Sequence, residues 1–373
     1  MTQNKHSKHA NLNKPDYGRF ARNEWAFLGA PCDSIKSIIE QIAQLAKDPV
    51  LYIDESHNHS DTVSNLSITT KKGERQAFTK GFDWNKNSNF MAFDEFDYVM
   101  VNGNHFQAEK QIVILDPRKE ESLSRKLDRL TNLKAIIYTN EVESPYPFLQ
   151  DEEGVDIDVP RFHIDDIDAI WSFIKSDLEI PVLKSLVLAG GKSQRMGHDK
   201  GAIDYHGKGQ ARFIYDLLEG IGVEGHISCR AEQSSNFADL RQVHDKFIGL
   251  GPFGAIASAF MSDPNAAWLV VPCDLPLLKS EHLELLISHR NPLKFATAFL
   301  NNSTNFPEPL ISIWEPKMFS RMLGFLAQGY SCPRKTLINS EVELIKIEQQ
   351  DFMMNVNTPE DLNRAQIILE EEK

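Results

Sequence analysis

The chain has 373 residues, 41% hydrophobic and 25% charged, with a formal net charge of −13. That length suits two domains, and the apolar content supplies two cores. The acidic surplus excludes a broad basic face for nucleic acid, while leaving room for a local basic pocket that takes a phosphorylated small molecule.

Residues 1–17 are polar, with no apolar core, and read as a flexible tail and not a signal peptide. Strands are expected at 25–28, 50–54, 98–101, 112–115 and 135–138, with an amphipathic helix over 34–46 and helical material between the last two strands. Strands alternating with helices imply an α/β domain with a mainly parallel sheet covered on both faces. The polar stretch 57–89 reads as loop or irregular hairpin, and the acidic, proline-containing stretch 141–160 as loop. A helix over 164–175 would carry Asp165 and Asp166 in its first turn, where the helix dipole favours acid. This first domain spans 18–177, and the boundary falls within 176–181.

The second domain, 181–373, opens on the apolar strand 182–188. Further strands are expected at 226–229, 268–272, 295–300 and 309–314, and helices at 212–219, 253–261, 280–289, 316–328 and 359–370. Thr358 before Pro359 suits an N-cap followed by proline at the first helical position. No apolar run approaches the roughly 20 residues of a spanning helix. Cys32, Cys229, Cys273 and Cys332 are far apart and form no CxxC pair, which argues against a disulfide framework or structural zinc site and for a reducing compartment. The expectation is a cytoplasmic protein that engages neither membrane nor nucleic acid.

The strongest chemical signal is the string Leu188-Ala-Gly-Gly-Lys-Ser-Gln-Arg-Met-Gly-His-Asp-Lys200, which follows a buried strand directly. Open α/β sheets place ligands at that position. Gly190 and Gly191 lack Cβ atoms, so backbone N–H groups can approach an anion closely. Lys192, Arg195 and Lys200 lie close by in sequence. A nucleoside triphosphate needs such cations, and Arg and Lys can stabilise the α-phosphate as charge shifts in the transition state. The string is not a Walker loop, since GxxxxGK[ST] is absent.

The apolar run 268–272 ends in Cys273-Asp-Leu-Pro276. An aspartate at the C-terminal end of a buried strand faces the same sheet edge as the glycine string. Mg2+ prefers one or two carboxylates plus phosphate oxygens and water, so Asp274 is the metal candidate; its alternative is an N-cap for the next helix. Gly249-Leu-Gly-Pro-Phe-Gly254 reads as a turn opening a helix whose N-terminus can face an anion. Asp245 precedes it, as a nucleotide ligand or a solvated loop carboxylate. Asn355 and Asn357 can bind an acceptor or fix a strand-to-helix turn. Arg334 and Lys335 can form a basic edge for the acceptor or be solvated charges. His198, His206 and His244 lie near these motifs without a nameable partner and read as surface histidines, and Cys273 as a small buried residue.

Residues 183–373 resemble the MobA-like nucleotidyltransferases, whose signature LAGGxSxRMGxDK is matched by the string from Leu188 to Lys200. The segment Asn355-Val-Asn-Thr-Pro-Glu-Asp-Leu362 resembles that family's NVNTPEDL string, and Cys273 to Pro276 its CDxP position. The resemblance implies a Rossmann-like α/β/α sandwich of the nucleotide-diphospho-sugar-transferase type. It also implies Mg2+ at Asp274, base and ribose held by Leu188, Ala189 and Gly190, phosphates met by Arg195 and Lys200, and nucleotide contact by Asp245. Family members include the molybdenum cofactor guanylyltransferases, and the Gly-Gly form with Met-Gly-x-Asp-Lys leans toward GTP. Implied partners are GTP, a molybdopterin-type acceptor, and molybdoenzymes or cofactor-insertion proteins. Another NTP or acceptor, as in cytidylyl- or sugar-phosphate nucleotidyltransferases, and a non-catalytic scaffold stay open. Arg230 departs from the family, which usually has asparagine there. The first domain is similar in order to a MobB-like GTP-binding adaptor, through Tyr52 to His59 and Asp97 to Gly103. Its loop, Gly29 to Lys36, lacks Gly-Lys-Ser/Thr, so a degenerate phosphate site is expected. His57 and His59 form an HxH pair that can bind metal or be a loop accident.

Overall fold

The computed structural model describes residues 22–55, 65–71, 74–80, 93–142, 144–150, 157–189, 206–356 and 358–371. The expected tail at 1–17 and the His57/His59 pair lie outside them. The chain divides into two compact units, one spanning Arg22–Glu179 and the other running from Ile180 to the C-terminal end.

In the first unit the described elements run β1 (Glu24–Leu28), α1 (Cys32–Leu45), β2 (Val50–Glu55), β3 (Asn65–Lys71), β4 (Glu74–Lys80), β5 (Tyr98–Asn102), β6 (Lys110–Ile114), α2 (Glu120–Ser124), β7 (Leu133–Tyr138), β8 (Arg161–His163) and α3 (Ile167–Ser176). The strands form one sheet in the order β4-β3-β2-β5-β1-β6-β7-β8. Six of them pair in parallel, and β3 and β4 continue the sheet antiparallel. The polar stretch 57–89 therefore contains a regular hairpin in its described part. The central strands β1, β5 and β6 are buried nearly throughout, as strands covered on both faces are.

Helix α1 is held by the period of Ile35, Ile38, Ile39 and Ile42, all buried. Each such side chain contributes roughly 1.5–3 kcal/mol through apolar burial. Helix α3 begins later than the sequence suggests. Asp166 is its N-cap, accepting from the Ala169 amide at 3.1 Å, so Asp165 precedes the helix and Asp168 occupies the first turn.

The second unit holds β9 (Leu183–Leu188), α4 (Gln210–Gly220), β10 (Glu224–Cys229), β11 (Gln242–His244), α5 (Pro252–Ser262), β12 (Ala267–Pro272), α6 (Ser280–Ser288), β13 (Ala296–Asn301), β14 (Phe306–Trp314), α7 (Met318–Ala327), α8 (Pro333–Ile338), β15 (Val342–Ile345) and α9 (Pro359–Glu371). The sheet order is β11-β10-β9-β12-β14-β13-β15. Strands β9 to β12 pair in parallel, and β14 runs antiparallel between β12 and β13. Residues alternate across the sheet. Val187, Leu269 and Val271 join one core with α4 and α6, while Leu186, Trp268 and Val270 join another with α5 and α7. This is the α/β/α sandwich expected from the sequence. Strands β11 and β15 and helix α8 are short and were not foreseen; three to six residues carry too little period to read.

Glu315, after β14, is fully buried and takes Arg290 in two hydrogen bonds, Nε to Oε1 at 2.7 Å and Nη2 to Oε2 at 2.9 Å. Burial raises the Glu315 pKa, and the guanidinium opposes that shift. Removing one partner of a buried pair leaves an uncompensated charge. Glu315→Ala should therefore lower unfolding stability by roughly 3–5 kcal/mol in denaturant titration. A loss under about 1 kcal/mol, the range of exposed pairs, would show that the pair is not desolvated.

Candidate active site

Three parallel strands end within one residue of one another. Leu188 of β9 stands opposite Ser228 of β10 and Pro272 of β12. The Ala189 amide donates to the Ser228 carbonyl at 3.2 Å, and the Cys273 amide to the Leu188 carbonyl at 3.4 Å. Strand β11 joins in the same sense, with Cys229 opposite His244 and the Asp245 amide donating to the Cys229 carbonyl at 3.1 Å. Ala189, Asp245 and Asp274 thus emerge at a single C-terminal edge. The glycine string continues from Ala189. Its members Gly190, Gly191, Lys192, Arg195 and Lys200, with His198, lie outside the described residues.

Asp274 is half-buried in the turn after β12. It is not the cap of α6, which begins at Ser280, so the N-cap alternative is excluded. The turn is pinned from behind. Gln210, buried at the start of α4, donates its side-chain amide to the Leu275 carbonyl at 3.1 Å. His206 Nε2 lies 3.0 Å from the Pro276 carbonyl and must carry the hydrogen there, since a carbonyl only accepts. The ring also stacks on Phe213, with centroids 3.8 Å apart. His206 is therefore half-buried and engaged, and its carbonyl partner Pro276 is 70 residues away, which local sequence does not reveal. His244 is exposed, 3.0 Å from Gln242 Oε1.

The C-terminal motif reaches the same place. The Val356 amide donates to the Asp274 carbonyl at 3.0 Å, which sets exposed Asn355 beside the Asp274 turn. Thr358 and Asp361 exchange hydrogen bonds, Asp361 N to Thr358 Oγ1 at 3.2 Å and Thr358 N to Asp361 Oδ2 at 3.0 Å. This reciprocal cap starts α9 and fixes how the motif leaves the edge. Asn357 is outside the described residues.

On the other flank Asp245 is half-buried and accepts from Ser228 Oγ at 2.8 Å. Burial raises its pKa, against the Ser228 bond and the nearby charges of Arg230 and His244. The loop that follows is clamped to α5 by buried Ser258, whose Oγ accepts from the Lys246 amide at 2.8 Å and donates to the Gly254 carbonyl at 2.7 Å. Gly254 is required there: a Cβ would stand 2.2 Å from the Phe247 carbonyl oxygen. Ser228 and Ser258 escaped the sequence reading because a lone serine in an apolar run has no distinguishing pattern.

Because β14 runs antiparallel, its first residues lie at this edge too. Glu308, largely buried, has its pKa raised by desolvation, with Arg334 opposing. Arg334 Nη2 lies 3.6 Å from Glu308 Oε2, so the guanidinium of α8 is engaged with an acid and not simply solvated. Lys335 is exposed on the same helix. The Cys273 side chain is buried, as expected, and burial pushes the Cys229 thiol up to about 11.

The Asp245 shift fixes a pH dependence. Its folded pKa lies above 3.8, so the stability it contributes is complete below that value and is lost as pH rises through the folded pKa. Asp245→Asn should gain stability relative to the parent as pH climbs through that window. Melting curves across the acid range check this, and a constant difference between the two proteins would refute it.

The family model of the MobA-like NTP transferase domain matches residues 185–342. The molybdenum cofactor biosynthesis bifunctional protein of Synechocystis sp. is 34% identical over 189 residues, 50% of this chain and 54% of that protein. The chain thus spans about half the length of that relative. The molybdenum cofactor guanylyltransferase of Xanthomonas euvesicatoria pv. vesicatoria is 31% identical over 186 residues, 48% of this chain and 92% of that protein. Among solved structures, molybdopterin-guanine dinucleotide biosynthesis protein A from Archaeoglobus fulgidus aligns with 23% identity and a TM-score of 0.43, covering 50% of this chain and 99% of that one. No helix among the described residues is long and apolar enough to cross a membrane. Through its C-terminal half, the chain belongs to the MobA-like NTP transferase family.

Proposed function

We propose that the second unit is a molybdenum cofactor guanylyltransferase, transferring GMP from GTP to the terminal phosphate of a molybdopterin-type acceptor with release of pyrophosphate. The observation that carries this reading is the meeting of Ala189, Asp274 and the Asn355–Val356 backbone at one sheet edge, directly where the glycine string begins. Two of the named relatives are molybdenum cofactor proteins, which supports the choice of acceptor. Molybdoenzymes or cofactor-insertion proteins are the proposed partners that receive the product.

In this reading an acceptor phosphate oxygen attacks the α-phosphorus of GTP. The new O–P bond forms as the bond from that phosphorus to the β-phosphate oxygen breaks, and pyrophosphate carries away the electron pair. The attacking oxygen is already ionised near neutral pH, so no strong general base is needed. Catalysis is then positioning plus charge neutralisation. Leu188, Ala189, Gly190 and Gly191 hold the nucleoside, with Asp245 beside it. Lys192, Arg195 and Lys200 neutralise the phosphates, and Arg195 and Lys200 follow the charge that moves onto the leaving group. Asn355, Asn357, Arg334 and Lys335 receive the acceptor. Asp274 is a half-buried hard oxygen donor at the strand end, a type that fits Mg2+. Bound there, Mg2+ would supply Lewis-acid neutralisation of phosphate oxygens. The pinned turn under Asp274 keeps its carboxylate at one place while the substrates come and go.

A second reading is favoured by Arg230. It closes β10 and adds positive potential at Asp245, where the relatives' usual asparagine would not. Base contacts there can differ, so another NTP is the competing substrate.

Pyrophosphate release measured with each NTP, with and without purified molybdopterin, tests the substrate. Release is expected with GTP and acceptor together; release with CTP and not GTP would overturn the nucleotide. Asp274→Ala should reduce turnover by about 100-fold or more, in the range for removing a main transition-state charge contact, while melting near the parent temperature. Parent-like rates would take Asp274 out of the metal role.

A further inference from the structure

The first unit brings together a thiol, a carboxylate and an imidazole from three separate segments. Cys32 opens α1 just after β1, Asp54 lies near the end of β2, and His105 follows β5. One ligand atom from each lies within 4.8 Å of the other two. Cys32 Sγ is 3.3 Å from His105 Nε2. Strands β2, β5 and β1 are parallel neighbours, so all three groups stand at the C-terminal edge of this sheet.

His105 and Asp54 are held by further contacts. His105 turns its other ring nitrogen, Nδ1, to Glu55 Oε2 at 2.8 Å. Asp54 is buried and accepts from Tyr52 OH at 2.7 Å, Asn102 Nδ2 at 2.8 Å and the Glu55 amide at 2.7 Å. The loop carrying His105 is tied down as well. Gly103 N donates to the Phe27 carbonyl at 2.7 Å, Asn104 Nδ2 to the Ala30 carbonyl at 2.8 Å, and Arg129 Nη1 to the Gly103 carbonyl at 2.9 Å.

Two chemistries need a thiol against an imidazole: a nucleophile with its base, or a cation site. Glu55 already orients His105, as the third member of a nucleophilic triad would. Asp54 decides between them. Asp54 brings an oxygen donor within 4.8 Å of both the sulfur and the imidazole, a third ligand that a nucleophile–base pair does not need. Toward a divalent cation it is a third donor, and the cation neutralises both thiolate and carboxylate. Ligand atoms around a tetrahedral zinc-type ion stand roughly 3.5 Å apart, close to the sulfur–nitrogen separation seen here. The Glu55–His105 contact is the carboxylate–histidine pairing that fixes the ring of a metal ligand.

We propose that Cys32, Asp54 and His105 form a mononuclear site for a borderline divalent cation of the Zn2+ type, with Glu55 as the outer partner of His105. Mixed sulfur, nitrogen and oxygen donors suit that class. Ligation releases the Cys32 thiol proton to solvent. Three protein donors leave a fourth position, on the side where Cys32 and His105 are part-exposed, for water or an incoming ligand. The site belongs to the first unit and does not depend on the transferase reading.

Co2+ titration of the metal-stripped full-length protein is the test, read by the sulfur-to-cobalt charge-transfer absorption. One equivalent per chain should produce the band, Zn2+ should displace it, and Cys332→Ser should leave it unchanged. Cys32→Ser should abolish it, and Glu55→Gln should weaken Co2+ binding roughly 10-fold or more. The near-isosteric Cys32→Ser change also guards against a folding artefact, since its melting curve can be compared with the parent. Absence of a stoichiometric band, or its persistence in Cys32→Ser, overturns the proposal. Absence of the band together with rapid alkylation of Cys32 at neutral pH would show the nucleophile instead.

Discussion

The register that ends β10, β9 and β12 within one residue of one another is the constraint on which the second unit's site depends. Parallel pairing fixes strand ends against one another through backbone hydrogen bonds, and a slip of one residue would exchange the two faces of the sheet. With Leu188 opposite both Ser228 and Pro272, β9 and β12 end level, and β10 runs one residue further to Cys229. Ala189, Cys229 and Cys273 are therefore level by register, with Arg230 and Asp274 directly after the latter two. The two apolar cores hold that register, because Leu186 and Val187 on β9 each have a buried place on opposite faces.

Around this edge, several polar side chains bond to backbone. Gln210 and His206 hold the Asp274 turn by its carbonyls, Ser258 holds the loop after Asp245 by its amides, and Val356 ties the C-terminal motif to Asp274. Such bonds leave the carboxylates oriented and the turns stiff, an arrangement suited to a reaction that relies on placement. In the proposed transfer no proton must be taken from a weak acid. That accords with burial pushing the Cys229 thiol up and with His206 being occupied by Pro276.

The first unit reuses the same geometry for different chemistry. Its parallel strands also end at a shared edge, and the residues gathered there are Cys32, Asp54 and His105. The loop from Gly29 to Lys36 offers a helix N-terminus, yet no lysine directly follows its glycine.

The sequence by itself determined the long elements, the strand-to-string junction at Leu188, the Asp274 turn and the capped start of α9, because each is written in contiguous residues with a strong local period or cap. It also determined the family, through strings that survive as unbroken words. The fold was needed to show that Asp274 is not a helix cap, that His206 is a strut, that Arg334 is paired with Glu308, and that Asn65–Lys71 and Glu74–Lys80 extend a sheet. It also brought Cys32 to His105, 73 positions apart. The reason is physical: local patterns record what a residue does with its neighbours along the chain, whereas strand order and register choose which distant side chains share an edge.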